Sequence, residues 1–349
     1  MRGLREKLQI EPPENLLGSS MAAWYGPGTV ATDGASELHL VVACADRKRA
    51  SAGSPARLGT VAAASSAERC AAWWRLLNSV PARTPARDLY VGDHWSIAKD
   101  LPNCARRAGY EPHLWVASAG YGLVTEDAVL ASYSATFSVD SPDSVVSAHP
   151  DAREASQQWW SHLAQRRLRG EDQPRFLTEL AERATPGAVL MLVASPAYVV
   201  AMERDLERIA TRGARVRLML VTSNPGPEAV GLRESWIPTT ATLRMSLGGA
   251  LTSLHTRVAR WLLEKISPAE MNAETARRHI ERLASCAPEL PTIQRTQADD
   301  DQIRKFIRQS IRRDAGTSYT RLLREYRTSG HACEQSRFRA LFVAEREGR

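Results

Sequence analysis

The sequence has no hydrophobic run near the ~20 residues that a membrane-spanning helix needs, and its best candidate, residues 188–194, has only the length of a strand. The first fifteen residues are charged where a secretory signal has an apolar segment of about 7–15 residues. The five cysteines lie far apart without a C-x-x-C pair, so neither a disulfide framework nor a zinc knuckle is predicted. We therefore expect a cytoplasmic protein without a membrane partner.

Motifs for metals and nucleotide cofactors are also missing. The eight histidines form no H-x-x-x-H, H-E-x-x-H or H-x-E pattern with C-x-x-C, which disfavours zinc proteases and zinc deaminases. A P-loop and a G-x-G-x-x-G turn are absent too, which disfavours ATPases and nicotinamide enzymes. We expect no metal, no cofactor and no obligate protein partner.

Lysine is scarce, at only five of 46 basic residues, and the positive charge is unevenly placed. Residues 302–349 carry a net charge of +7, equal to that of the whole chain, so residues 1–301 balance at zero. A neutral body with a short basic segment is typical of a protein that binds a polyanion. We predict DNA binding by seven arginines of this segment, in contact with phosphates more than with bases: Arg304, Arg308, Arg312, Arg321, Arg324, Arg337 and Arg339.

Four short and nearly continuous apolar runs predict strands that are covered on both faces, as in a parallel sheet. Stretches with helical spacing lie between them, so the expected fold is a doubly wound, mainly parallel α/β sheet. A further strand is possible near residues 240–245, and a capping box at residues 267–270 predicts a helix that ends near residue 285. The four runs are Leu38–Cys44, His113–Ala117, Ala188–Ala194 and Val216–Val221.

The domain organisation follows from composition. Residues 1–35, rich in proline, glycine and serine, predict an irregular lead-in, and residues 36–286 predict the α/β domain. Prolines and an Asp-Asp-Asp run mark residues 287–301 as a linker. Three short helical patterns in residues 302–349 predict a small basic module that resembles a helix-turn-helix.

Polar side chains follow each predicted strand, and the loops after parallel strands border one crevice in open α/β sheets. Asp46 and Asp127 are candidate catalytic carboxylates, and which of the two acts stays open. His94 is expected to line the opening, whereas Trp95 is expected in the core. Each feature also has a structural explanation, such as the helix start at Ser195-Pro196. The candidate substrate-binding residues are Arg47, Lys48, Ser118, Gly120, Tyr121, Gly122, Tyr133, Ser195 and Asn224.

The run Asp46-Arg47-Lys48 after the first strand, with Asp88–Gly92 and Ser118–Leu123, resembles a family of bacterial YaaA-like domains. This family is related to the uracil-DNA-glycosylase-like accessory domain of archaeal tRNA-guanine transglycosylases. The resemblance covers residues 36–140, about a third of the chain. The remainder is similar in outline to antiphage DNA glycosylases that remove sugar-modified cytosines from phage DNA. The Gly-Gln-Asp-Pro-Tyr motif of uracil glycosylases is absent, so the resemblance indicates a superfamily and no particular catalytic residue.

The resemblance implies a DNA glycosylase that extrudes a modified base, such as glucosylated hydroxymethylcytosine, from double-stranded phage DNA and leaves an abasic site. Asp46 or Asp127 would stabilise the oxocarbenium-like sugar. Arg47 and Lys48 would contact phosphates or the leaving base, and Tyr121 would form a stacking wall. Two alternatives remain open: a nucleic-acid-binding protein without catalysis, and an N-ribosidase that acts on free nucleotides. DNA and RNA are both possible substrates.

Overall fold

The computed structural model describes residues 35–49, 56–63, 65–80, 83–146, 151–166, 172–212, 215–224, 226–288 and 296–347. The predicted lead-in, residues 1–35, lies outside these ranges except for its last residue, and so does the middle of the predicted linker. Within the described ranges, no helix is long and apolar enough to cross a membrane.

The central sheet is mixed but mostly parallel. The strands are β1 Ser36–Ala43, β2 Ala56–Arg57, β3 Arg83–Pro85, β4 Tyr110–Ser118, β5 Gly122–Thr125, β6 Val129–Ala131, β7 Tyr133–Ser134, β8 Ala188–Val193, β9 Val216–Ser223, β10 Trp236–Thr239, β11 Thr296–Gln297 and β12 His331–Ala332. Six of them form the sheet in the order β10-β9-β8-β1-β4-β5. All neighbours in it are parallel except β4 and β5.

The four predicted parallel strands are confirmed as β1, β4, β8 and β9. Their aliphatic runs are buried because helices cover both faces of the sheet, so apolar side chains suit both sides of each strand. The prediction of a further strand near residues 240–245 is wrong. Trp236–Thr239 forms the edge strand instead, and residues 241–247 are helical.

The helices are α1 Ser66–Ser79, α2 Ala86–Leu89, α3 Asp93–Arg107, α4 Ala152–Ala164, α5 Leu177–Arg183, α6 Pro196–Thr211, α7 Arg244–Leu247, α8 Leu254–Lys265, α9 Ala273–Ser285, α10 Asp300–Arg313, α11 Tyr319–Thr328 and α12 Gln335–Glu347. Helices α3, α8 and α9 pack on one face of the sheet. Helices α4 and α6 pack on the other, with α1 and α5 against them. The prediction of a mixed α/β fold with a mainly parallel sheet is therefore confirmed.

Helix α9 begins later than its capping box predicts. The Ser267 hydroxyl donates to the Glu270 carboxylate at 2.9 Å, and this pair closes a turn and not a helix. The helix is capped by Asn272, whose side-chain oxygen accepts from the backbone N–H of Thr275 at 2.9 Å.

The order of the sheet places β1 and β8 side by side although about 150 residues separate them in the sequence. From β1 the chain continues to β4 on one side, and from β8 it continues to β9 on the other. The loops after β1 and β8 therefore diverge and open a crevice between them, as at the switch point of doubly wound sheets.

The C-terminal helices α10, α11 and α12 have a core of their own. Their buried apolar side chains form a cluster separate from that of the α/β domain, between Ala298 and Phe342. The short strands β11 and β12 pair in parallel beside them. The three helices predicted for this segment are present, because each has a clear apolar stripe.

Candidate active site

A cleft of about 470 Å³ lies at the divergence of the loops after β1 and β8. We call it the switch-point cleft. Its size is within the range of about 300–1,000 Å³ that small-molecule sites occupy. It is lined by Ala43, Cys44, Ala45, Asp46, Arg47, Val91, Gly92, Asp93, His94, Ala135, Thr136, Ser195, Tyr198, Thr252 and His255.

Two carboxylates line the cleft, and they differ in their partners. Asp93 accepts from the Ser253 hydroxyl at 2.5 Å and pairs with Arg257 at 2.8 Å, and these contacts hold its pKa below the usual value. Asp46 is exposed, and within the described ranges its carboxylate has no hydrogen-bond or ion-pair partner. Asp46 is therefore the carboxylate of the cleft that is free to interact with a ligand.

Arg47 lines the cleft beside Asp46 and is also exposed. Its backbone carbonyl accepts from the N–H of Val91 at 3.0 Å, which ties the loop after β1 to the start of α3. In the part of the chain that the structure describes, its guanidinium has no carboxylate partner. An acidic and a basic side chain therefore stand free at the same rim.

Two imidazoles, His94 and His255, face each other in the cleft with ring centroids 5.1 Å apart. Burial lowers the pKa of both, that of His255 to about 3. His94 Nε2 lies 2.8 Å from the Ala43 carbonyl oxygen, which can only accept, so this nitrogen carries the proton. His255 is buried and makes no hydrogen bond within the described residues. It offers a ligand a neutral imidazole that can donate or accept.

A hydrogen-bonded cluster extends from Cys44 and Tyr198 in the cleft wall to the buried residues behind them. The Cys44 thiol is 3.0 Å from the Tyr198 hydroxyl and 3.4 Å from the Tyr133 hydroxyl. The Tyr133 hydroxyl also lies 2.7 Å from Ser118 Oγ, and Ser118 Oγ accepts from the N–H of Tyr121 at 3.0 Å. Burial raises the pKa of Tyr133 and Tyr198, so both phenols stay neutral and keep a proton to donate within the cluster.

Several predicted ligand contacts are therefore wrong. Tyr121 and Tyr133 are each 2% exposed and cannot form a stacking wall, and Ser118 is fully buried. Gly120 serves packing, because a Cβ there would lie 2.5 Å from the Tyr133 ring, and Gly122 adopts a positive φ of 75° in the hairpin between β4 and β5. The Gly-Tyr-Gly turn shapes the core behind the cleft and does not line it.

Lys48 does not reach a phosphate either. Its ammonium turns under the loop and lies 3.3 Å from the Ala45 carbonyl oxygen and 3.2 Å from that of Asp46. It also lies 4.1 Å from the centre of the Tyr133 ring, a cation–π contact. Burial lowers the pKa of Lys48. Lys48 thus holds the loop that presents Asp46.

The predicted convergence of Asp46 and Asp127 is wrong. Strand β5 runs antiparallel to β4, with Gly122 opposite Ser118, so the chain after β5 returns toward the amino-terminal end of the parallel strands. There Asp127 pairs with Arg87 at 2.8 Å, and it does not line the switch-point cleft. One carboxylate of the predicted pair remains at the site.

The remaining predicted residues divide between cleft and surface. Ser195 lines the cleft at the start of α6, and its hydroxyl makes no capping hydrogen bond. Asn224 follows β9, one strand farther from the switch point, and is exposed outside the cleft. His94 lines the cleft and Trp95 is buried, as expected for both. Sequence patterns missed Cys44, Tyr198 and His255, since no local motif marks them.

In the C-terminal module, four of the seven predicted DNA-binding arginines pair with carboxylates. Arg304 and Arg308 share Glu345 at 3.2 and 3.0 Å. Arg321 pairs with Glu325 at 3.2 Å, and Arg337 pairs with Asp300 at 2.6 Å. The other three, without a carboxylate partner among the described residues, are Arg312, Arg324 and Arg339.

No protein-family model matches the chain, and no curated protein or solved structure matches it at a significant level. In the described part of the chain, no group of three or more His, Cys, Asp or Glu side chains could hold a metal ion. The resemblance to uracil-DNA-glycosylase-like domains rests on the sequence motifs alone and stays a prediction.

Proposed function

We propose that the protein is a DNA glycosylase that binds an extruded nucleobase in the switch-point cleft and hydrolyses its N-glycosidic bond. The observation that carries this proposal is the unpaired carboxylate of Asp46 in one cleft with the neutral imidazole of His255. A carboxylate and a neutral donor assist N-glycosidic hydrolysis, since positive charge develops on the sugar and negative charge on the departing base.

In the proposed reaction, water adds to C1′ while the bond from C1′ to the base nitrogen breaks, and the bonding electrons leave with the base. The Asp46 carboxylate stabilises the oxocarbenium-like sugar and takes up the proton of the attacking water. The neutral His255 donates a hydrogen bond to the departing base, which lowers the energy of its negative charge without a fixed positive charge in the pocket. The Arg47 guanidinium, free at the rim, contacts a phosphate that flanks the extruded nucleotide.

The resemblance noted in the sequence narrows the substrate to sugar-modified cytosine in phage DNA and the role to antiphage defence. A uracil-DNA-glycosylase-like fold is part of the same proposal. The open rim of the cleft, with its exposed acidic and basic side chains, leaves a path by which a sugar attached to the base can extend outward. The basic C-terminal module supplies affinity for DNA around the extruded base.

The test uses a panel of phage DNAs that carry different base modifications, with the released bases identified by mass spectrometry. We expect Asp46→Asn to lower the rate of base release by about 10²–10³-fold, the usual cost of losing one group that stabilises transition-state charge. Asp127→Asn is the matched control, because it makes the same change at a carboxylate outside the cleft. Undiminished base release by Asp46→Asn, or no base released from any DNA, refutes the proposal.

Removal of residues 302–349 separates the two enzymatic alternatives. The cleft is lined entirely by residues of the α/β domain, and the module has its own core. An N-ribosidase of free nucleotides would keep its rate after the deletion. A DNA glycosylase is expected to keep the cleft chemistry and lose affinity for DNA together with the salt dependence of binding.

A further inference from the structure

A groove of about 280 Å³ lies between α11 and α12 in the C-terminal module, lined by Thr320, Leu323, Arg324, Arg327, Thr328 and Gln335. We propose that this α11/α12 groove binds the phosphodiester backbone of DNA and that Arg324 and Arg339 are its phosphate-binding residues. The proposal rests on the proposed function only for the choice of DNA as the polyanion.

The two helices present polar side chains to the groove at helical spacing. Thr320, Arg324 and Thr328 are four residues apart on α11, so they share one exposed face. On α12, Gln335 and Arg339 are likewise four apart. The Arg339 guanidinium lies over the ring of Tyr319, 5.7 Å from its centre, beside Thr320. Arg324 therefore lines the groove from α11, and Arg339 lies one helical turn after Gln335, the residue of α12 that lines it.

The charge of the groove is positive and uncompensated. Its lining contains two arginines and no carboxylate. Arg327 is committed to the fold, since its Nη2 and Nε donate to the Cys333 carbonyl oxygen at 2.8 and 3.2 Å. Arg324 and Arg339, both exposed, have no carboxylate partner among the described residues. Their charge is available to a phosphate.

The arginines elsewhere in the module contribute less to phosphate binding. Arg304 and Arg308 share Glu345, Arg321 lies between Asp314 and Glu325, and Arg337 pairs with Asp300. A phosphate at these sites would displace or repel a carboxylate that already neutralises the guanidinium. Arg312 is unpaired in the described region but lies on α10, which does not line the groove.

The experiment measures binding of the full chain to a fluorescein-labelled, unmodified 20-base-pair duplex at several salt concentrations. Each phosphate neutralised contributes about 0.9 to the slope of log affinity against log salt concentration. Arg324→Gln/Arg339→Gln is expected to reduce the magnitude of this slope by about 1.8. Between 50 and 200 mM salt, the wild-type affinity should then fall about 12-fold more than that of the variant.

The control is Arg321→Gln/Arg337→Gln, which removes the same net charge from paired arginines. It is expected to keep a slope close to that of the wild type, and circular dichroism melting shows whether both double variants are folded. Equal slopes for the two double variants would mean that the module acts only through its total charge, and this overturns the proposal. An unchanged slope in the groove variant overturns it as well.

A polyglutamate peptide as competitor identifies the class of partner. The proposal is wrong if the peptide displaces the duplex at matched charge and if Arg324→Gln/Arg339→Gln weakens affinity for the peptide as strongly as affinity for the duplex. The groove would then select acidic protein. Because the duplex is unmodified and no base is released from it, binding is measured independently of catalysis. Failure of base release with modified phage DNA would overturn the proposed function and leave the result for the groove intact.

Discussion

The buried imidazole of His255 makes the α/β domain sensitive to acid in a way that can be calculated. Its pKa is about 3 in the folded protein, against about 6.5 in an unfolded chain, because burial in the wall of the cleft penalises the charged form. Between these two pKa values the unfolded chain binds a proton that the folded protein does not. The free energy of unfolding therefore falls as the pH drops below about 6.5.

The size of this effect follows from the two pKa values. At pH 5 the ratio of protonated to neutral imidazole is about 30:1 in the unfolded chain, whereas the imidazole of the folded protein is neutral. This difference lowers the free energy of unfolding by about 2 kcal/mol. At pH 8 both states are neutral and the contribution vanishes. His255→Asn, which cannot be protonated, is expected to lose about 2 kcal/mol less stability than the wild type between pH 8 and pH 5.

Urea unfolding followed by tryptophan fluorescence measures this difference. Eight of the nine tryptophans lie in residues 36–286 and none follows Trp261, so the signal reports mainly on the α/β domain and not on the C-terminal module. His279→Asn is the control, since it removes an imidazole from α9, outside the cleft. If the wild type and His255→Asn lose the same stability on acidification, the imidazole is not held neutral in the cleft and its proposed role toward the departing base fails.

Two further predictions concern the support of the cleft. Gly120→Ala places a Cβ 2.5 Å from the Tyr133 ring and should destabilise the domain by roughly 1–3 kcal/mol, measured as a lower urea midpoint. Gly231→Ala is the control, because the space around Gly231 is open, and it should change stability by less than about 0.5 kcal/mol. Equal midpoints for the two variants would contradict the packing argument. Lys48→Met removes the donor that holds the loop after β1, so base release should slow about ten-fold or more while duplex affinity stays unchanged. The control is Lys99→Met, which makes the same change at an exposed lysine. A parallel loss of affinity in Lys48→Met would return Lys48 to the phosphate-binding role.

Much of the fold could be predicted from local sequence. The runs that form β1, β4, β8 and β9 are apolar on both faces, and such runs need cover on both sides, which a parallel sheet with helices on each face provides. The C-terminal helices were predictable for a similar reason, since each carries one apolar stripe between glycine breaks. Both signals depend on residues within one element.

The candidate site depended on contacts that local patterns do not contain. Strand β5 has only four residues after a tight turn, and its antiparallel direction moved Asp127 away from the crevice. A Gly-Tyr-Gly turn is compatible with an exposed ring or a buried one, and Tyr121 is buried because other aromatic side chains pack around it. The direction of a strand and the burial of a ring are decided by what packs against them.

The sequence by itself determined that the loop after β1 would present an acid and a base at the carboxyl end of a buried strand. Only the tertiary structure decided which side chains meet them there. Asp46 and His255 are more than 200 residues apart and share a cleft because α8, which carries His255, packs against α3, whose start is tied to the loop after β1. The tertiary structure also directs Lys48 inward and leaves Asp46 unpaired. The Lys48 ammonium is satisfied by backbone carbonyls and by an aromatic ring that only folding brings together.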